Sequence, residues 1–351
     1  MKRQKKMKKV FSVISLILCV LMLFTCCAHT QPDPATPTDV PSSEPDVTAG
    51  DTTETPEKPV INVGFLKGPT GMGAAYLLEQ DALGTANAEY NCTLAAAADV
   101  LQASLISGEL DIAALPTNAA AVLHKKTEGA IDILAVNTLG VIYIMSNEDI
   151  TSVADLKGMT ILSAGQGTTT EYVLDYILSG NGLIPGEDVT VEYASEHAEV
   201  VSKAAAGNYS VILLPEPFVT QMKAQSADFS TVIDLTEEWE KLGGGLLTMG
   251  CVAVRKDFAE NAPEAVGAFL ADYKASVDFV NANTEEAAAL IEKYEIAKAS
   301  VAAKALPACN ITFMTGDEMK QNVSAYLTVL ADYAPAAVGG ELPGDDFYRL
   351  P

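Results

Sequence analysis

From Val60 onward the chain alternates, and that alternation constrains its fold more than any other feature: short apolar runs of strand length give way repeatedly to segments with helical spacing. Residues 60–66, 89–94, 111–115 and 131–136 read as strands, with helical patterns between them at 72–82, 99–107 and 118–126. A β-α-β-α-β-α-β rhythm of this kind predicts an α/β fold with a parallel-leaning sheet and helices on its faces. In such sheets ligands collect beyond the carboxyl ends of the strands. Three stretches fall there and are expected to share one surface: Lys67 to Gly73, Pro116-Thr117-Asn118 and Asn137-Thr138.

The first stretch, Lys67-Gly68-Pro69-Thr70-Gly71-Met72-Gly73, has three glycines that permit positive φ and close backbone approach. The helix after it, read from Met72, Ala75, Leu78 and Ala82, presents free N–H groups at its start. Lys67, Gly68, Pro69, Thr70, Gly71 and Met72 are therefore candidate ligand contacts. Tyr76 occupies the place of a third glycine, so the loop is not the dinucleotide fingerprint.

A second loop of the same kind, Ala164-Gly165-Gln166-Gly167-Thr168-Thr169, again joins a strand-like run to a helix, and Thr168 and Glu171 stand at capping-box spacing. Gly165, Gln166, Gly167, Thr168 and Thr169 join the candidates. So does Glu216, held between Pro215 and Pro217 at the end of a strand at 211–214 and aimed at the same side of the sheet. Two such loops imply two lobes facing one cleft. Further strands are expected at 141–146, 160–163, 189–193 and 246–254, with Thr248 in the last of these as an additional candidate. Helices are expected from Pro263 and from Thr315, where Glu318 completes another capping box.

The amino-terminal segment bears on the compartment. Lys2, Arg3, Lys5, Lys6, Lys8 and Lys9 precede a charge-free apolar run at 10–24, too short for a membrane span and patterned as a secretory signal. It ends in Leu23-Phe24-Thr25-Cys26-Cys27, which resembles a bacterial lipoprotein box with Cys26 as the lipidated residue, and Cys27 as the alternative. The next stretch, to residue 59, is rich in Pro, Thr, Asp, Glu and Ser and reads as a tether that cannot offset its ordering entropy by burial. The remainder, 60–351, is longer than one compact core usually holds.

The formal net charge is -24, and all six leader charges are basic, so nucleic acid is not an expected partner. His29, His124 and His197 form no metal-ligand pattern, and no metal or other cofactor is expected. There is no Gly-x-Ser-x-Gly elbow, His-Glu-x-x-His or Cys-x-x-Cys, so no catalytic residues are assigned. An extracytoplasmic location permits a disulfide; Cys251 and Cys309, both at strand-like positions, are the candidate pair, with free buried thiols as the equal alternative.

The lipoprotein leader, the glycine loop after the first strand, Val153-Ala154-Asp155-Leu156-Lys157-Gly158-Met159-Thr160-Ile161, Leu214-Pro215-Glu216-Pro217-Phe218 and Val254-Arg255-Lys256-Asp257-Phe258 occur in this order. Together they resemble the extracytoplasmic solute-binding proteins of ABC importers, within the group that serves nitrate, taurine, alkanesulfonates and thiamine-type pyrimidines. The resemblance implies a two-lobed type II periplasmic-binding-protein fold. Lobe one would be 60–139 and 248–351, lobe two 140–247, with crossing strands near 137–143 and 246–250. It also implies a monomer anchored by lipid to the cell membrane, delivering a small molecule to a permease and its ATPase.

Arg255 and Arg349 are the only arginines after the leader. An anionic ligand would thus depend on loop amides, helix ends and Lys67, and a heterocycle held by Asn118, Gln166, Glu216 and a tyrosine fits equally well. Two further readings stand beside transport: an enzyme of the same fold acting on a pyrimidine or menaquinone-type precursor, and a tethered ligand sensor.

Overall fold

The computed structural model describes residues 57–350. The expected signal peptide, the expected lipidation at Cys26 and most of the expected tether lie outside the described residues. The last residues assigned to the tether already belong to the fold. Lys58 Nζ donates to the carbonyls of Gly84 and Ala86 at 2.8 and 2.6 Å, and Pro59 O accepts from Glu89 N. Among the described residues no helix is long and apolar enough to cross a membrane.

Two mixed sheets flanked by helices make up the fold. The first has the order β11-β4-β10-β3-β1-β2, built from β1 (Val60–Leu66), β2 (Glu89–Ala95), β3 (Ile112–Pro116), β4 (Ile131–Thr138), β10 (Gly250–Arg255) and β11 (Ile311–Met314). The second has the order β7-β6-β8-β5-β9, from β5 (Ile142–Ser146), β6 (Thr160–Ala164), β7 (Thr190–Ala194), β8 (Val211–Pro215) and β9 (Ser230–Asp234). β1 runs parallel to β2 and β3, and β6 parallel to β7 and β8. Three strands run against the rest: β11, antiparallel to β4 at the edge of the first sheet, and β5 and β10, on which the chain changes sheet. It leaves the first sheet at the end of β4 and enters the second on β5, antiparallel to β8; it returns on β10, antiparallel to β3 and β4. A strand entering from the facing lobe starts where its neighbours end, so it must run against them.

Helices α1 (Pro69–Gly73), α2 (Ala75–Ala82), α3 (Ala98–Ser107) and α4 (Thr117–Lys126) follow the first strands. In the second lobe come α5 (Thr169–Gly180), α6 (His197–Ala205), α7 (Phe218–Gln225) and α8 (Leu235–Lys241). The chain then adds α9 (Lys256–Asn261), α10 (Pro263–Ala282), α11 (Thr284–Lys293), α12 (Ala299–Ala305) and α13 (Gly316–Tyr333). β4 is buried along its whole length, as expected of a strand covered on both faces. One face of the first sheet packs Phe65, Ala114 and Val252 against Phe269, Tyr273 and Val277 of α10. The other face, with Leu115, Val136 and Cys251, belongs to a core that continues into the second lobe through Val173 and Ile177 of α5, Trp239 and Leu247.

Several local expectations are corrected. The helix expected to run through Met72 to Ala82 is two pieces that break at Ala74, whose N–H turns back to Gly71 O at 3.1 Å. The strand expected over 246–254 begins only at Gly250, because the preceding residues cross between lobes and their last ladder-like contact is Thr117 N to Met249 O. Neither Thr168 nor Thr315 caps its helix with its side chain. Thr168 Oγ1 donates instead to Gly165 O at 2.6 Å, and Glu171 accepts from Gly167 N, since positive φ at Gly165 and Gly167 folds the loop back onto itself. Cys251 and Cys309 are free thiols. Strand alternation puts Cys251 on one face of the sheet, whereas Cys309 follows a 3-10 turn on the other face, beside Met72 Sδ at 4.0 Å.

Candidate functional site

A cavity of about 680 Å³ opens between the two sheets, within the usual range for a small-molecule site. Its walls are the strand-to-helix connections of both lobes, so they gather beyond the carboxyl ends of the parallel strands. From the first lobe come residues 66–70, 96–99 and the 115–126 region; from the second come 164–168, Thr170, 193–197 and 215–218. Thr138, Val141, Met249 and Gly250 close the back, at the two crossings.

Among the candidates read from sequence, Lys67, Gly68, Pro69, Thr70, Pro116, Gly165, Gln166, Gly167, Thr168 and Glu216 line this cavity. Gly71, Met72, Thr117, Asn118, Asn137, Thr169 and Thr248 do not, and each is buried behind the wall. Gly71 lies against its own strand: a Cβ there would stand 2.5 Å from Leu66 O. Thr70 ties the same corner, accepting from Leu66 N at 3.2 Å. Thr169 turns inward between two residues that face the cavity, and its hydroxyl donates to Asn118 Oδ1. Asn137 is the bulged residue of β4, sitting between the pairs Gly250–Thr138 and Cys251–Val136.

The sequence reading missed two connections, Ala96–Asp99 with Gln102 and Tyr193–His197. Both are strand-to-helix junctions, so the same rule that selected Lys67–Gly73 covers them. Neither has a glycine or a proline to draw attention to it.

Charge is distributed unevenly over the walls. Lys67 and Lys126 stand on the first-lobe side with Asp99, while Glu196 and Glu216 stand on the second. Neither arginine contributes: Arg255 pairs with Asp111 and Asp257, and Arg349 with Asp132. Glu216 is buried, and its two oxygens accept from Thr220 N and Thr220 Oγ1, both at 3.1 Å. Burial outweighs those bonds and raises its pKa above the ordinary carboxylate value. At the start of α6 the His197 ring packs beside Phe218, with centroids 5.3 Å apart. Its Nδ1 is shut off from solvent without a partner, and burial lowers its pKa to about 4, so the ring is neutral at pH 7. Among the described residues no group of His, Cys, Asp and Glu is arranged to hold a metal ion.

The family model described as menaquinone biosynthesis matches residues 75–331. The chain belongs to that family. The matched span begins after the first glycine loop, takes in every strand except β1, and contains most of the cavity wall. Solved structures of similar shape include an ABC transporter from Parabacteroides distasonis, with a TM-score of 0.69 and 25% identity over 83% of this chain and 98% of that one. The periplasmic aliphatic sulphonate binding protein SsuA from Escherichia coli has a TM-score of 0.66 at 18% identity, covering 83% and 96%. The periplasmic nitrate-binding protein NrtA from Synechocystis PCC 6803 has 0.58 at 16%, covering 79% and 82%. The menaquinone-biosynthesis family member described here thus has the two-lobed fold of periplasmic binding proteins. Among curated proteins there is no sequence match.

Proposed function

We propose that this chain is the extracytoplasmic solute-binding subunit of an ABC importer, lipid-anchored through Cys26, which captures a small organic molecule between its lobes and delivers it to a permease. The observation that carries this reading is the cavity itself, whose walls come in comparable parts from both sheets. Each lobe alone holds only part of such a ligand, so binding favours the arrangement in which both walls are in contact. The solved structures named above supply the transport context.

The chemistry of the walls favours a molecule with unlike ends. Its acceptor or anionic end faces Lys67, Lys126 and the amides at the starts of α3 and α4, and a hydrogen-bond donor faces Glu216. Pro69, Ala119, Val122, Met249 and Phe218 provide the apolar surface between. With no arginine at the cavity to grip a small oxyanion with a guanidinium fork, nitrate is the less favoured cargo.

The family's description supports a second reading, an enzyme acting on a menaquinone-type precursor in the same cleft. In it, Glu216 and His197 are the titratable groups placed to move a proton. One experiment separates the two: thermal melting of the ectodomain against organic acids, aminopyrimidines, sulfonates and aromatic precursors, followed by mass analysis of any compound that raises the melting temperature. A ligand at 100 times its Kd adds about 2.7 kcal/mol. Recovery of the compound unchanged supports transport, whereas a changed mass supports the enzyme.

A further inference from the structure

Directly behind the cavity, a buried hydrogen-bond relay joins the two lobes. Thr169, the first residue of α5, donates from Oγ1 to Asn118 Oδ1 at 3.0 Å and accepts from Tyr326 OH at 3.0 Å. Asn118 in turn donates from Nδ2 to Ala337 O at 3.3 Å, which fixes the direction of its amide. Asn118 and Tyr326 are wholly buried and Thr169 is 2% exposed. The three residues belong to three helices, α4, α5 and α13, and two of these carry cavity wall: Thr170 on α5, and Ala119, Val122 and Lys126 on α4.

Around this relay the same edge of the molecule is closed by further contacts between α13 and α5. Tyr333 OH donates to Asp175 O at 3.0 Å and meets Ser179 Oγ at 2.8 Å. The Trp239 ring packs against both Tyr176 and Tyr326, with centroids 4.8 and 5.6 Å apart. One hydrophobic core runs through the seam without interruption. Lobes joined only by two crossing segments would have no such continuity.

We propose that Asn118 and Tyr326 are positioning residues for the cleft, acting through Thr169. They hold the first turn of α5 so that the 165–168 loop and Thr170 face the ligand, and they make the α5–α13 edge a fixed seam about which the lobes move. The inference rests on the cavity being the ligand site, but it assigns a role to residues that touch no ligand. Thr168 and Glu171 bond only within the loop and its own helix, so the inward pull on Thr169 is what ties that helix start to α4 and α13. Thr169→Val keeps the shape and removes the hydroxyl, leaving both Asn118 Oδ1 and Tyr326 OH buried without this partner. Thr169→Ser keeps the hydroxyl.

Amide hydrogen exchange on the ligand-free protein tests this without knowledge of the ligand. In Thr169→Val and in Tyr326→Phe, amides of residues 165–172 are expected to exchange about tenfold faster, with β3, β4 and β10 unchanged and Thr169→Ser restoring the parental rates. Tyr326→Phe also serves should Thr169→Val not fold. Unchanged exchange in the loop overturns the proposal. A uniform acceleration through the sheets overturns it equally, because it would mean that the relay stabilises the whole fold and positions nothing. Failure of the ligand reading would leave this exchange result untouched, so the two remain distinguishable.

Discussion

Gly68 and Gly71 stand three residues apart in the loop after β1, and the structure gives them opposite burdens. An alanine Cβ at position 71 would come within 2.5 Å of the Leu66 carbonyl oxygen, whereas real Cβ contacts stay above 3.0 Å. The strand end would have to yield by at least half an ångström. That carbonyl belongs to a corner fixed by Leu66 N to Thr70 Oγ1 and by Lys67 N to Ala95 O, so the displacement strains both bonds. Overpacking against backbone of this kind costs about 2–3 kcal/mol. At position 68 a Cβ meets nothing within 4 Å, and the backbone is extended with φ 179. Gly68→Ala is therefore expected to change stability by no more than about 0.5 kcal/mol while adding a methyl group to the cavity wall. Urea unfolding of the two variants measures this as a lowered midpoint for Gly71→Ala alone. Equal midpoints for the two variants would refute the assignment of Gly71 to packing and Gly68 to the site.

Other expectations follow from buried charges. Burial and the neighbouring Glu171 raise the Asp175 carboxyl from 3.8 to about 6. The folded protein thus holds that proton more tightly than the unfolded chain, and stability falls as pH rises from about 4 to about 6. Asp175 is only half-buried, so solvent screening cuts the shift's upper value of about 3 kcal/mol; Asp175→Asn should gain roughly 1–2 kcal/mol at pH 7, a gain that disappears by about pH 4 in a series of chemical melts. His197 has the opposite sign: its pKa falls from 6.5 to about 4, so its contribution is complete above about pH 6.5 and is lost as pH falls towards 4. His197→Phe should flatten the acid limb of stability over that window. Arg349 bonds Asp132 Oδ2 at 2.9 Å, and Arg349→Ala leaves that buried carboxylate without its partner, at a cost of about 3 kcal/mol that the added change Asp132→Asn should largely recover.

The alternation of strands and helices was legible because its parts are local: β1, β3 and β4 are apolar runs of the right length, and α10 starts at a proline. The candidate site was legible where chemistry is conspicuous, as at Gly68, Gly165 and Glu216. It was hidden where the same topological position carries ordinary residues, as at Ala96–Ala98 and Tyr193–His197. Facing was harder to read than position. Thr168, Thr169 and Thr170 are alike in sequence, yet only the middle one turns away from the cavity, drawn inward by Tyr326 from 157 residues along the chain. The supposed disulfide failed for a similar reason: Cys251 and Cys309 lie near one sheet but on its opposite faces.

The proposed function stands on the cavity between the sheets holding a small molecule and giving it back intact. Native mass spectrometry of the purified ectodomain, beside an Ala96→Trp variant that places an indole on an exposed part of the cavity wall, tests it most directly. One small molecule per parental chain is expected, absent from the variant and identical in mass before binding and after release. A parental chain that binds none of the organic acids, aminopyrimidines, sulfonates and aromatic precursors, or a variant that binds equally well, would overturn that reading.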